Sequence, residues 1–420
     1  MAGRERDDSA GTGGGVRRRA VLPLLAGALL APGCTAPART PAPAPGATAA
    51  DGIRRALDRR AAAALDRDEA AYLAAVDPAA PALRATARAE FRNLAEVPLD
   101  AWAYHLTGVR RSGARATVRA ELRYRLAGHD SVPLAAPRAL ELTERAGRWY
   151  VSADRAAEGG AAQLWEQGAV RAVRGTHALV LGVGQDEARL RAIAATADRA
   201  VPAVDAAWPG RWARRVVVLV PEDLTALGGL LGAPAAAYRS IAAVTTGKTG
   251  GSGAPPADRV VVNPEAYGEL AAHGREIVLT HETTHVATRT ATSAATPSWL
   301  SEGFADWVAY RGSALTAGQI APELQGAVRR GEAPAALPSD EDFAFGGDPD
   351  RLARAYESAW LACELIAAEW GEEMLTAFYR AVGGHPGRAG AVEKAARDVL
   401  STTPERLTER WRDRVRRRLG

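Results

Sequence analysis

The chain has 420 residues, of which 24% are charged and 47% apolar, a balance that excludes a disordered polypeptide and one built mainly of membrane spans. It is long enough for two domains with well-buried cores. Net charge is only +4 and almost every cation is Arg, with Lys at 248 and 394 alone, so no single-sign field marks a nucleic-acid partner.

Arg17, Arg18 and Arg19 precede an apolar run, Ala20 to Ala31, that is too short to span a bilayer and reads as a targeting segment. It ends at Ala31-Pro32-Gly33-Cys34. This resembles a bacterial lipoprotein signal, which implies that Cys34 becomes the lipidated first residue, and Arg18 to Leu22 also resembles a twin-arginine export motif. Residues 1–33 are thus expected to be a signal peptide and 34–50 a Pro/Ala-rich extended tether, with the protein anchored by lipid at the extracytoplasmic face of the cell membrane. A cleaved secretory signal with an incidental Cys is the alternative. The second Cys, Cys363, lies in an apolar helical stretch and reads as a packing thiol, so no disulfide is expected.

Residues 51–158 are expected to form a small α+β accessory domain. Helical spacing up to about residue 90 gives way to alternating segments at 101–106, 116–126, 140–143 and 148–151, a pattern similar to the cone fold of nuclear-transport-factor-like proteins. His105 and His129 read as strand or turn residues. A second domain, 160–420, is expected to begin with strands at 178–183 and 215–221 around a helix at 186–207. The loop 246–258 contains Gly247-Lys248-Thr249, but a Pro pair and a strand follow it, which is the wrong context for a phosphate loop. Arg259 to Asn263 reads as a short strand stopped by Pro264. Residues 314–348 are expected to be a long loop, and three helices are expected from 351 to 419.

The chemistry concentrates in His281-Glu282-Thr283-Thr284-His285 and Trp299-Leu300-Ser301-Glu302-Gly303-Phe304-Ala305-Asp306. Positions four apart on a helix differ by about 40° around the axis, so His281 and His285 can hold one ion. Ile277, Val278 and Val286 would bury that helix. Sixteen residues separate His285 from Glu302, enough for a turn and an antiparallel helix that returns a carboxylate to the same point. Three protein ligands leave a fourth position open for water, the arrangement of a catalytic Zn²⁺. Glu282, offset by roughly 100° from His281, is placed to take a proton from that water. Asp306 would accept the free ring N–H of His281. Gly303 implies that another backbone or a substrate passes close by.

These residues resemble those of the gluzincin metallopeptidases, the thermolysin-like or peptidase-MA-like group: His-Glu-x-x-His, a Glu on the next helix, a small residue three on, here Ala305, and Asp four on. The likeness is specific over 259–311. It implies a zincin-like domain with a small mixed sheet and a mostly helical C-terminal half, zinc ligands His281, His285 and Glu302, and Glu282 as general base. It also implies an edge strand that pairs with extended peptide, matched by Val260, Val261, Val262 and Asn263, and a residue that stabilises the oxyanion, with Tyr356 the candidate and His385 second. The aminopeptidase signature Gly-x-Met-Glu-Asn is absent, so an endopeptidase acting on a peptide or protein substrate is expected. The alternatives are a zinc-containing binding lipoprotein with little turnover and a hydrolase of a non-protein amide.

Overall fold

The computed structural model describes residues 45–247, 258–345 and 347–420. The expected signal peptide and Cys34, most of the expected tether and Lys248-Thr249 lie outside these residues. The tether reading is corrected at its end, because α1 begins at Pro45 (Pro45–Leu65). Ala and Arg there favour helix once Pro occupies the first turn.

The fold is α+β. After α1 come α2 (Glu69–Ala74) and α3 (Pro81–Asn93), then β1 (Leu99–Ser112), β2 (Arg115–Leu126), β3 (Leu134–Arg145) and β4 (Arg148–Ala156), an antiparallel meander in the order β1-β2-β3-β4. In β2 the alternate residues Ala116, Val118, Ala120, Leu122, Tyr124 and Leu126 are buried, the period-two pattern of a sheet with one face on a core. A buried ionic network joins helix to sheet. Arg60 donates to Asp154 and to the Tyr72 hydroxyl, each at 2.9 Å, and Arg138 donates to Asp154 and Glu166.

Next follow α4 (Leu164–Gln167), β5 (Arg171–Arg174), β6 (Ala178–Gly182), α5 (Glu187–Ala207), β7 (Val216–Val220), α6 (Leu224–Leu231), β8 (Ala243–Thr246) and β9 (Arg259–Val262). The strands form a mixed sheet in the order β5-β6-β7-β9-β8, with β6, β7 and β9 parallel and an antiparallel strand at each edge. One apolar core runs from the meander to this sheet, taking in Val118, Leu140, Leu181, Val217 and Val261. A bidentate pair, Arg259 to Asp130 at 2.8 and 2.7 Å, crosses the same boundary and is buried. Residues 44–420 are one compact unit.

Asn263 stops β9 and caps α7 (Pro264–Glu269) by accepting from Glu265 N at 3.1 Å, with Pro264 in the first turn, where its missing N–H costs nothing. That turn delivers the chain to α8 (Ala272–Thr288), followed by α9 (Ser298–Tyr310). The expected loop 314–348 holds two helices, α10 (Ala317–Ile320) and α11 (Pro322–Arg329), and a single 3₁₀ turn at Asp340–Phe343. Pro322 starts α11 instead of excluding it, and Thr316 caps α10 through a reciprocal bond with Gln319. Four helices, not three, complete the chain: α12 (Pro349–Trp370), α13 (Glu372–Gly383), α14 (Ala391–Leu400) and α15 (Pro404–Leu419). Trp299, Phe304, Trp360, Cys363 and Trp411 are buried in their shared core. Among the described residues, no helix is long and apolar enough to cross a membrane.

Candidate metal centre

The helix α8 is buried through small and hydroxyl-bearing residues. Leu279, Thr280, Thr283, Thr284, Ala287 and Thr288 face inward, while Ile277, Val278 and Val286, the expected apolar face, are only half-buried. Buried hydroxyls need acceptors. Thr284, Thr288 and Thr292 find them in the carbonyls one turn back, at 2.8, 3.0 and 3.1 Å. Small side chains let α9 lie close to α8. On its other side α9 meets α12 almost backbone to backbone: a Cβ at Gly303 would sit 2.2 Å from the Ala359 carbonyl oxygen, the close approach expected there.

These contacts bring His281, His285 and Glu302 together, and no other such cluster of His, Cys, Asp or Glu occurs among the described residues. The two Nε2 atoms are 3.1 Å apart, and each lies 3.3 Å from Glu302 Oε2. Zinc bond lengths of roughly 2.0–2.1 Å in a tetrahedron place neighbouring ligand atoms about 3.3 Å apart. The triangle therefore fits one face of a zinc tetrahedron. The donor set, two imidazoles and a carboxylate, is also one that zinc favours.

Asp306 Oδ1 lies 2.7 Å from His281 Nδ1. Assigning the ring proton to Nδ1 leaves a lone pair on the Nε2 that faces the triad. Burial pushes the His281 pKa down, but the charge and hydrogen bond of Asp306, with Glu302 and Glu282 behind them, carry it well above its ordinary value. Burial likewise pushes Glu302 up, and the two imidazoles more than reverse it, holding the carboxyl well below the usual range. The His281 shift expresses the carboxylates around it, which favour a cation at the centre of the pocket, and the Glu302 shift keeps its carboxylate ionised.

Glu282 and Tyr356 line the same cleft, which has a volume of about 300 Å³. Glu282 Oε2 accepts a 2.5 Å hydrogen bond from Thr245 Oγ1, so the carboxylate is tied to β8. The Tyr356 ring centroid is 6.1 Å from that of His281. Burial, followed by the negative charges of Glu302, Asp306 and Glu282, pushes the phenol pKa well up, so Tyr356 keeps its proton and can donate. A larger cavity of about 520 Å³ between the two sheets is walled by apolar residues such as Leu181, Leu219 and Val261 and contains none of the triad.

Two expectations are corrected. Val260, Val261 and Val262 do not form an edge strand, because β9 is paired on both sides, with β7 and β8, and all three are at most 1% exposed. A run of Val without alternation is the signature of a strand buried on both faces. The edge beside the cleft is β8, Ala243–Thr246, and Asn263 is a helix cap. His385 bonds the Gly387 carbonyl at 2.7 Å on the α13–α14 loop and does not line the cleft. Thr245 and Arg289 were not singled out in the sequence. The β-branched run Val244-Thr245-Thr246 before a Gly-rich loop was the available signal for the strand that carries Thr245.

No protein-family profile and no curated protein matches the chain. Among solved structures it is similar to a SEC-C motif containing protein from Rhodopseudomonas palustris, at 24% identity over 23% of this chain and 71% of that one, with a TM-score of 0.19. A structural likeness that low carries no argument about fold or function.

Proposed function

We propose that this chain is a zinc-dependent peptidase of the gluzincin kind that cleaves extended peptide at β8, and that it works outside the cytoplasm, attached through Cys34. The observation that supports the chemistry most is the triangle of His281, His285 and Glu302, with the Glu282 carboxylate beside it in the same cleft. A zinc ion in this set would act as a Lewis acid and bring a water molecule's pKa to roughly 7. Glu282, held by Thr245, takes the proton as the water oxygen bonds to the scissile carbonyl carbon, and returns it to the leaving nitrogen as the C–N bond breaks. Tyr356 donates to the oxygen on which negative charge develops. The outer edge of β8, which pairs with no strand among the described residues, supplies backbone groups that align the substrate as an added strand.

The deciding experiment is Glu282→Gln, with cleavage of a peptide library followed by mass spectrometry and metal content measured in parallel. The expected result is retained zinc with cleavage lower by about 10²–10⁴-fold. Undiminished cleavage would overturn the assignment.

A further inference from the structure

Arg289 caps the C-terminus of α8, four residues beyond His285, and among the described residues it is the one Arg or Lys that lines the cleft. Its surroundings hold it in a particular way. Arg289 Nε donates to Asp258 Oδ2 at 2.9 Å, and the two side chains are 11% and 4% exposed. No acceptor among the described residues bonds its terminal nitrogens, Nη1 and Nη2. Among the described residues the guanidinium fork is thus clamped by one N–H, while its other four N–H groups meet no acceptor. Room for this clamp comes from Gly247, just past the end of β8: a Cβ there would lie 1.8 Å from Asp258 Oδ1 and 2.9 Å from Arg289 Nε. A glycine at the end of the edge strand, a buried aspartate and a partly committed arginine together make a fixed cationic corner in a cleft otherwise lined by carboxylates, imidazoles and neutral groups.

We propose that Arg289 reads a carboxylate on the substrate, either the side chain of an Asp or Glu close to the scissile bond or the end of a short chain. A planar fork with free donors matches a carboxylate in a bidentate way, and the shielded setting strengthens the bond. One helical turn is about 5.4 Å and an extended peptide advances about 3.3 Å per residue, so the carboxylate sits within roughly three residues of the carbonyl at the triad. Asp258 is a positioning residue: it aims the fork and does not touch the substrate. This inference rests on the peptidase reading above and assigns the class of peptide that the site prefers.

The test measures binding and needs no turnover. Zinc-loaded full-length Glu282→Gln protein is titrated with neutral octapeptides in which one Glu is moved position by position, each paired with its Gln counterpart, and with the same peptides as C-terminal acids and amides. The expected result is that one carboxylate, side-chain or terminal, binds on the order of tenfold tighter than its neutral counterpart. The advantage should fall to about one in the Glu282→Gln/Arg289→Gln protein and be partly kept with Arg289→Lys, which preserves the charge but not the fork. Equal binding of every acidic and neutral pair overturns the proposal without any variant at 289, and so does a preference that survives Arg289→Gln. Cleavage by the wild-type chain is scored separately. A carboxylate preference without cleavage would sink the peptidase reading and leave Arg289 as an anion reader, whereas cleavage with no preference would do the reverse.

Discussion

Asp306 Oδ1 sits 2.7 Å from Nδ1 of His281, and Glu302, one turn earlier on the same helix, presents its carboxylate to the other nitrogen of that ring. A single turn of α9 therefore supplies both a metal ligand and the group that orients a second one. Replacing Asp306 by Ala should free the ring to rotate and weaken zinc binding by about 10–100-fold, read by competition with a chromogenic chelator. Unchanged affinity would remove Asp306 from the site.

The Thr245 hydroxyl should matter for rate and not for metal. Thr245→Val removes the 2.5 Å bond that fixes Glu282 and should lower kcat by about tenfold, the worth of one positioning hydrogen bond, with zinc content unchanged. Thr245→Ser should restore most of the rate. A loss of zinc in Thr245→Val would show that the residue supports the ligands instead.

The pair Arg259–Asp130 is buried, and Asp130→Ala removes the carboxylate that the Arg259 fork grips. Chemical denaturation should show a loss of about 3–5 kcal/mol. The exposed pair Arg125–Asp100 is the control, with Asp100→Ala expected to leave the denaturation midpoint almost unchanged. Equal effects would mean that burial does not govern the first pair.

Glu90 should make stability fall as pH rises. Burial raises its carboxyl to about 7, outweighing the pull of Arg60 at 4.0 Å. The folded pKa lies above the unfolded one, so the contribution is complete below about 4.5 and is lost as pH rises through about 7. Thermal midpoints of wild type and Glu90→Gln should agree near pH 4.5, and the variant should be the more stable at pH 8. A variant less stable at pH 8 would show that the ionised carboxylate is worth more to Arg60 than burial costs it.

The ligands were legible because helix geometry converts a spacing of four into a shared direction, and a tight α8–α9 contact needs only the small residues that the sequence shows. The edge strand was misread for a physical reason. Val260 to Val262 carry the strongest strand signal in the region because they are buried on both faces, and that same burial forbids them from being the edge. The true edge, β8, has only four residues, three of them β-branched, too short a run to stand out beside Val260 to Val262, and it pairs with β9. The helices within 314–348 depend on Pro322 at the first turn of α11 and on the Thr316 cap of α10, local devices that composition alone hides. Arg289 gave no signal at all, since only folding reveals that Asp258 commits one of its N–H groups and that Gly247 leaves space for this clamp.

The central claim is that one zinc ion is held by His281, His285 and Glu302. Anomalous diffraction recorded on either side of the zinc absorption edge, from crystals of protein purified without chelator, tests it directly. The account predicts one strong peak per chain within about 2.0–2.2 Å of both Nε2 atoms and a Glu302 oxygen. A peak elsewhere, or none at this triangle in crystals grown with added zinc, would contradict it.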